Sequence, residues 1–263
     1  MWAILMAVSR AHAESVNGHA TPPRPHLNAL IGQYLARRPG AVTAAVYDVN
    51  TNQSWNYNGG MRNDTGSIVK VDILETRLHQ TDGTLSSHER QLAAAMIEQS
   101  DNNAATALWN EDGGAVGIGA YNEEVGLRCT SFDPYGHWGL TLTCASDQLR
   151  LLAELANPNR LLTDHSRQYQ LYLMEHVVSW EAWGVSAGVP LEGVSVALKN
   201  GWLPHGNVPW IVNSIGILHG DGRYYFIAVL TRDPGEGDGI DTIEGISGIV
   251  WRHMSGLFRG PTH

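Results

Sequence analysis

Apolar and polar positions change rhythm twice along this chain. Near the start, apolar residues fall at helical spacing in "LNALIGQYLARR" (Leu27 to Arg38), a pattern that stops at Pro39-Gly40. "AVTAAVYDV" and "QSWNYN" then run with strand character on either side of Asn50-Thr51-Asn52, which predicts an antiparallel hairpin. The middle of the chain returns to helical spacing. A helix carrying Ser67 runs to about Gln80. A capping box from Ser86 to Glu89 opens another through Met96, and further patterns begin near Asn103, Ala115, Ala145 and Asp164. From Val194 the strand rhythm resumes in "GVSVALKNGW", "WIVNSIGILH" and "RYYFIAVLTR", with turns at "LPHGN" and "HGDG". A last helix spans Ile240 to Met254.

Strands at both ends of the chain enclosing a block of helices predict a mixed α/β (α+β) fold. One antiparallel sheet is assembled from distant segments and flanked by helices, with an all-helical lobe inserted. The sheet lobe takes residues 26–62 and 183–263, and the helical lobe 63–182, together one domain. A cleft between such lobes is a usual place for a small-molecule site. Ser67 lies where the chain first enters the helical lobe.

The first 25 residues read differently. A short apolar run from Trp2 to Val8 precedes Ala11-His12-Ala13, an A-x-A-like cleavage site without the usual positive residues ahead of it. "TPPRPH" follows and reads as a Pro-rich spacer. The expectation is an exported protein, in the cell envelope or secreted, that carries the remnant of a signal peptide. No stretch approaches the roughly 18 apolar residues of a transmembrane helix.

Composition narrows the function classes. Hydrophobic residues at 43% with 16% charged describe a globular chain, and a formal charge of −9 without any basic run argues against a nucleic-acid surface. Twelve histidines show no metal-ligand spacing, so no metal site and no cofactor are expected. Cys129 and Cys144 bracket "TSFDPYGHWGLTLT" and in an oxidising compartment would staple that loop, a gain of about 3 kcal/mol.

Three short motifs carry candidate chemistry. In "TGSIVKVDIL", Ser67 and Lys70 stand three apart and share a helix face, so the amine can reach the hydroxyl. A serine needs a neighbouring base, and lysine serves only where burial or nearby positive charge leaves it neutral. Alone, the pattern recurs by chance. Ser100-Asp101-Asn102 sits between two helical patterns, where such residues also serve as caps. Functionally, Ser100 would relay a proton, Asn102 would bind Lys70 and a substrate amide, and Asp101 would fix the turn. In "ALKNGW", Gly201 within a strand signals close approach of another backbone or a ligand. Lys199 would bind a carboxylate and depress Lys70, Asn200 would add an amide hydrogen bond, and the backbone N–H groups of Ser67 and Trp202 would form an oxyanion hole.

Ser-x-x-Lys, Ser-Asp-Asn and Lys-x-Gly in this order resemble the signature of class A β-lactamases and penicillin-binding DD-peptidases. The resemblance runs from about Leu27 to Met254. It implies a β-lactamase/transpeptidase-like fold and a serine hydrolase or acyltransferase. Ser67 would be acylated by a small amide, peptide, ester or β-lactam carrying a carboxylate. Lys70 would be base or relay, Ser100 would bridge Lys70 and Lys199, and Lys199 with Asn200 would hold the carboxylate. A monomer is expected.

Several positions depart from that pattern. Asn200 stands where the family has threonine, and the stretch from Ser67 to Ser100 is shorter than in typical class A enzymes. The glutamate that activates deacylating water has no counterpart; "RCTSFDPYGHWGLTLTC" offers Asp133, with Tyr135 and His137 as other groups. An acyl-enzyme with a β-lactam would then persist. Two alternatives stay open: a true class A β-lactamase with a non-standard deacylating group, and a non-catalytic ligand-binding relative. A GxSxG elbow is absent, which disfavours an α/β-hydrolase. Trp180, Trp183, Trp202 and Trp210 would line a substrate rim or fill the space between lobes.

Overall fold

Residues 24–190, 192–205, 208–233 and 235–257 are described by the computed structural model. The N-terminal apolar run and its Ala11-His12-Ala13 site lie outside these residues. So do Gly206 and Asn207, the end of the expected "LPHGN" turn.

Helix α1 (Arg24–Leu35) leads into β1 (Ala41–Asp48) and β2 (Gln53–Tyr57), with β1 and β2 paired antiparallel as the hairpin pattern predicts. One boundary needs correction. The expected spacer ends earlier, because Arg24, Pro25 and His26 already form the first turn of α1, where proline's missing N–H costs nothing. A short strand β3 (Asn63–Asp64) and a 3₁₀ turn (Gly66–Ile68) lead into helix α2 (Val69–Gln80). Helices α3 (Ser87–Glu98), α4 (Asn102–Glu111) and α5 (Gly114–Val125) follow. Strand β4 (Leu142–Thr143) pairs with β3, a contact too short to show in the sequence pattern. Helices α6 (Ala145–Ala156) and α7 (Asp164–Glu175) complete the block. Strands β5 (Val194–His205), β6 (Val208–Gly220) and β7 (Arg223–Asp233) then precede helix α8 (Glu236–Leu257). The capping box is present in full: Ser86 accepts from the Glu89 backbone while the Glu89 side chain accepts from that of Ser86.

The main sheet has the order β2-β1-β7-β6-β5, all neighbours antiparallel, so strands from the two ends of the chain lie side by side. Its two faces bury different elements. Val42, Ala44, Val46, Leu198, Val212, Ile227 and Val229 pack beneath α1 and α8 with Leu27, Ile31, Ile243 and Val250. Residues of opposite parity, Ala45, Ala197, Ile215, Ile217, Phe226 and Ala228, pack against the helical block through Ile68, Leu74, Leu108 and Leu152. On β5 this two-residue alternation sends Lys199 toward the helices with Ala197 and Asn200 to the opposite face with Leu198. Among the described residues, no helix is long and apolar enough to cross a membrane.

Candidate active site

The turn that carries Ser67 is held from three sides. Buried Asn213 on β6 donates from Nδ2 to the carbonyls of Asp64 (2.8 Å) and Thr65 (2.9 Å), and Thr65 N donates to the carbonyl of Thr141 (2.8 Å). Strand β5 supplies the third side. A Cβ at Gly201 would lie 2.6 Å from the backbone nitrogen of Ser67 and 2.7 Å from that of Ile68. A Cβ at Gly66, whose φ is +54°, would lie 3.0 Å from the nitrogen of Trp202. The approach expected at Gly201 is therefore of backbone, and it brings the nitrogens of Ser67 and Trp202 to one spot. Two glycines make that approach available.

Lys70, fully buried on the first turn of α2, has four oxygens around Nζ. They are Ser67 Oγ at 2.9 Å, Ser100 O at 2.6 Å, Ser100 Oγ at 3.1 Å and Asn102 Oδ1 at 2.8 Å. The two carbonyl-type oxygens can only accept. Two hydrogens of the nitrogen satisfy them, and each hydroxyl can either accept a third hydrogen or donate to the lone pair of a neutral amine. Ser100 makes this arrangement possible with φ +57°, an uncommon conformation for a non-glycine residue. Its neighbour Asp101 is the N-cap of α4 and accepts from Ala104 N at 2.7 Å, so it fixes the turn.

Lys199 approaches the same hydroxyl from the sheet. Its Nζ donates to Ser100 Oγ at 3.0 Å and to the Asn200 carbonyl at 3.1 Å, and lies 3.6 Å from Glu181 Oε2. Burial pushes Lys70 down to about 7, with the charge of Lys199 as the next cause. Lys199 falls to about 8, again through burial, opposed by the Glu181 carboxylate. Burial also raises Glu181, against the pull of Lys199 and then Lys70. A buried pair of amines beside one hydroxyl is an arrangement in which one gives a proton up near neutrality.

One expectation is overturned. The Asn200 side chain does not face the cleft: both hydrogens of its buried Nδ2 are used, on the carbonyls of Glu181 (2.7 Å) and Trp183 (3.1 Å). The alternation of β5 aims it at the far face of the sheet, where it clamps the segment ahead of the strand. Lys199 is itself without exposed surface, so its ammonium is not open to direct contact from the cleft. Ser67 and Ser100 are half-buried, and Asn102 is exposed.

The loop between α5 and β4 closes over Lys70 with an aromatic ring. The Trp138 ring centroid stands 5.1 Å from Lys70 Nζ, and its Nε1 donates to Thr106 Oγ1 on α4 at 3.1 Å. Asp133 turns into its own loop, its Oδ2 accepting from the backbone N of Tyr135 (3.0 Å) and His137 (3.1 Å) and pairing with His137 Nδ1 (2.8 Å). A disulfide joins Cys129 to Cys144 and closes the ends of this loop. Of the tryptophans considered for a rim, Trp183 and Trp202 have ring centroids 5.9 Å apart, Trp180 is exposed, and Trp210 packs into the apolar layer beneath α1 and α8.

Motif spacing misses Glu181, Asn213 and Trp138, which come from segments without a recognisable pattern. A different signal was available. The 263 residues contain two lysines, Lys70 and Lys199, every other basic position being arginine or histidine. Both are fully buried at one hydroxyl. Lysine is ordinarily a surface residue, so both lysines of the chain in one buried cluster mark that cluster as a candidate site.

Comparison with known proteins identifies the family and the fold. The model of the beta-lactamase enzyme family matches residues 79–254, a span that contains Ser100, Asn102 and Lys199 and begins after Ser67 and Lys70. A protein of Mycobacterium tuberculosis named "Putative lipoprotein LppW" is 26% identical over 170 residues, covering 62% of this chain and 54% of its own length. The chain thus spans about half the length of the curated relatives it matches. A class A β-lactamase from Bacteroides cellulosilyticus superposes with a TM-score of 0.78 at 17% identity, over 90% of this chain and 100% of its own. The extended-spectrum β-lactamase TLA-1 gives 0.78 at 20% identity (88% and 99% covered), and PBP-A gives 0.76 at 21% (89% and 99%). At these identities the superpositions establish the fold, and the family match establishes the kinship: the chain belongs to the beta-lactamase enzyme family.

Proposed function

We propose that this protein is a serine acyltransferase or hydrolase that forms an acyl-enzyme on Ser67 with a small carboxylate-bearing amide, ester or β-lactam. One observation carries the reading: the buried Lys70 nitrogen lies within hydrogen-bond reach of the Ser67 and Ser100 hydroxyls, with two pure acceptors, the Ser100 carbonyl and Asn102 Oδ1, for its other hydrogens. Ser67 passes its proton to Lys70 as Oγ bonds to the acyl carbon. The resulting oxyanion lies against the N–H groups of Ser67 and Trp202. The proton continues through Ser100 to the leaving nitrogen or oxygen as that bond breaks, and water or an amine later releases the acyl group.

Trp138 stands over Lys70, and Asp133 is committed to its own loop, so deacylation by water is slow and the acyl-enzyme long-lived. A mutant of the fold neighbour PBP-A is an acyl-enzyme complex with penicillin G, which supports a penicillin as the first probe. The likeness to a lipoprotein and the disulfide support a place in the cell envelope.

Incubation with a fluorescent penicillin, followed by intact mass over time, tests this. Stable labelling of the parent is expected, with none in Ser67→Ala. Labelling that reverses within seconds would instead mark a turnover β-lactamase. A parent inert to penicillin and to a panel of chromogenic esters, or a Ser67→Ala variant that reacts as fast as the parent, sinks the proposal.

A further inference from the structure

Glu181 enters the site from the short helical turn Ser179–Glu181, which no motif marks. The side chain is buried, with Oε2 3.6 Å from Lys199 Nζ, while its backbone carbonyl accepts from Asn200 Nδ2 at 2.7 Å. Two successive residues of β5 that point to opposite faces of the sheet thus both engage Glu181. The charged neighbours of Lys70 are Lys199, Glu181 and Asp101; those of Glu181 are Lys199 and Lys70; those of Lys199 are Glu181 and, across the shared Ser100 hydroxyl, Lys70. Asp101 is occupied as the cap of α4. Glu181 is therefore the buried counter-charge of the two-lysine cluster, and it sits on the Lys199 side.

One buried carboxylate offsets one ammonium. Two protonated lysines sharing the Ser100 hydroxyl would leave an uncompensated buried charge, so one of them sheds its proton. The hydrogen bonds say which. Lys199 donates to Ser100 Oγ and the Asn200 carbonyl, and its remaining hydrogen is left to the Glu181 carboxylate, an ion-pair contact at 3.6 Å. Lys70 has two pure acceptors and two hydroxyls. We infer that Glu181 is the positioning residue that keeps the shared proton on Lys199 and so leaves Lys70 as the free amine facing Ser67. Its catalytic meaning rests on the acyl-transfer reading above, whereas the charge arrangement itself is measurable without turnover.

The lysine content makes that measurement direct. Protein labelled with ¹³C at lysine Cε gives two side-chain signals, assigned by Lys199→Arg. In Glu181→Gln the titration midpoint of Lys199 falls by about one pH unit or more and that of Lys70 by less. In Glu181→Asp, which keeps the charge at a greater reach, it falls by a smaller amount. The pH profile of penicillin labelling moves with it: the alkaline limb shifts to lower pH, and the rate near pH 8.5 drops about tenfold against a smaller change near pH 7. An unmoved Lys199 midpoint in folded Glu181→Gln overturns the inference. So does a rate that falls equally at every pH with both limbs in place. Should Glu181→Gln not fold, an unmoved midpoint in Glu181→Asp overturns it as well. A parent that is never acylated defeats the acyl-transfer reading alone, and the two midpoints still decide the role of Glu181.

Discussion

A lysine that takes a proton from a hydroxyl must first have lost one. Burial, and then the charge on Lys199, bring Lys70 down to about 7, while Lys199, buried but facing Glu181, stands at about 8. Acylation needs the first neutral and the second charged. Its rate is expected to climb as pH rises through about 7 and to fall as pH passes about 8, a narrow bell. Labelling rates with a fluorescent penicillin across neutral pH measure this, and a profile flat over that range would refute it. The stability sign also follows. Both lysines have depressed values in the folded chain, so the unfolded chain binds more protons between about 7 and the ordinary lysine range. Their burial thus costs stability at neutral pH and the cost fades as pH rises. An active site held by two desolvated amines is a local weak point of the fold.

At the scale of elements, the contact between β5 and the turn ahead of α2 decides whether a site exists. Gly201→Ala would place a methyl group 2.6 Å from the Ser67 nitrogen and 2.7 Å from the Thr65 carbonyl, both backbone. The strand and turn must separate, with an expected loss of about 1–3 kcal/mol in urea unfolding and near-complete loss of labelling. Retention of parental labelling would show that the two backbones do not meet there. Helix α2 and the end of α4 hold a second liability. Asp72 is buried and pushed up to about 7 by desolvation, partly offset by the Asn122 and Thr76 hydrogen bonds; burial raises Glu75 and takes Asp112 to about 8. Groups with raised values stabilise the fold below the ordinary carboxylate range, and that contribution is lost as pH climbs toward their folded values. Stability should therefore decline between about pH 4 and about pH 7. Asp72→Asn keeps an acceptor and a donor beside Asn122 without the charge. It should flatten that decline by about 2–4 kcal/mol, read from urea midpoints near pH 5 and near pH 8. An unchanged slope would dismiss Asp72 as its source.

For the whole molecule, the disulfide and the sheet divide the labour of bringing distant segments together. The Cys129–Cys144 bridge closes the loop that lays Trp138 over Lys70. Replacing both cysteines with alanine should lower stability by about 3 kcal/mol through restored freedom of the unfolded chain. Adding reductant to the parent should reproduce most of that loss in urea. A parent indifferent to reductant would mean the bridge contributes nothing. The sheet does the rest: β1 from one end of the chain lies beside β7 from the other, and β6 reaches the Ser67 turn through Asn213. Long-range pairing of this kind is slow to form, and folding of this chain should be limited by it.

Much of this was readable in one dimension. Helical and two-residue periodicities locate α1, the β1–β2 hairpin, the helical block and the three late strands, because each element buries one face and its side chains repeat at a fixed interval. The order of Ser67, Ser100 and Lys199 was legible too, and so, in the composition, was a chain with two lysines. Tertiary structure alone decided which way neighbouring residues of β5 face, taking Asn200 out of the cleft and into the clamp on Glu181. It also decided that Trp138, rather than an acid of its loop, stands over Lys70, and that Glu181 is the carboxylate beside Lys199. Periodicity is a local property of the chain. A charge cluster depends on where segments far apart in sequence come to rest, and burial there sets its protonation.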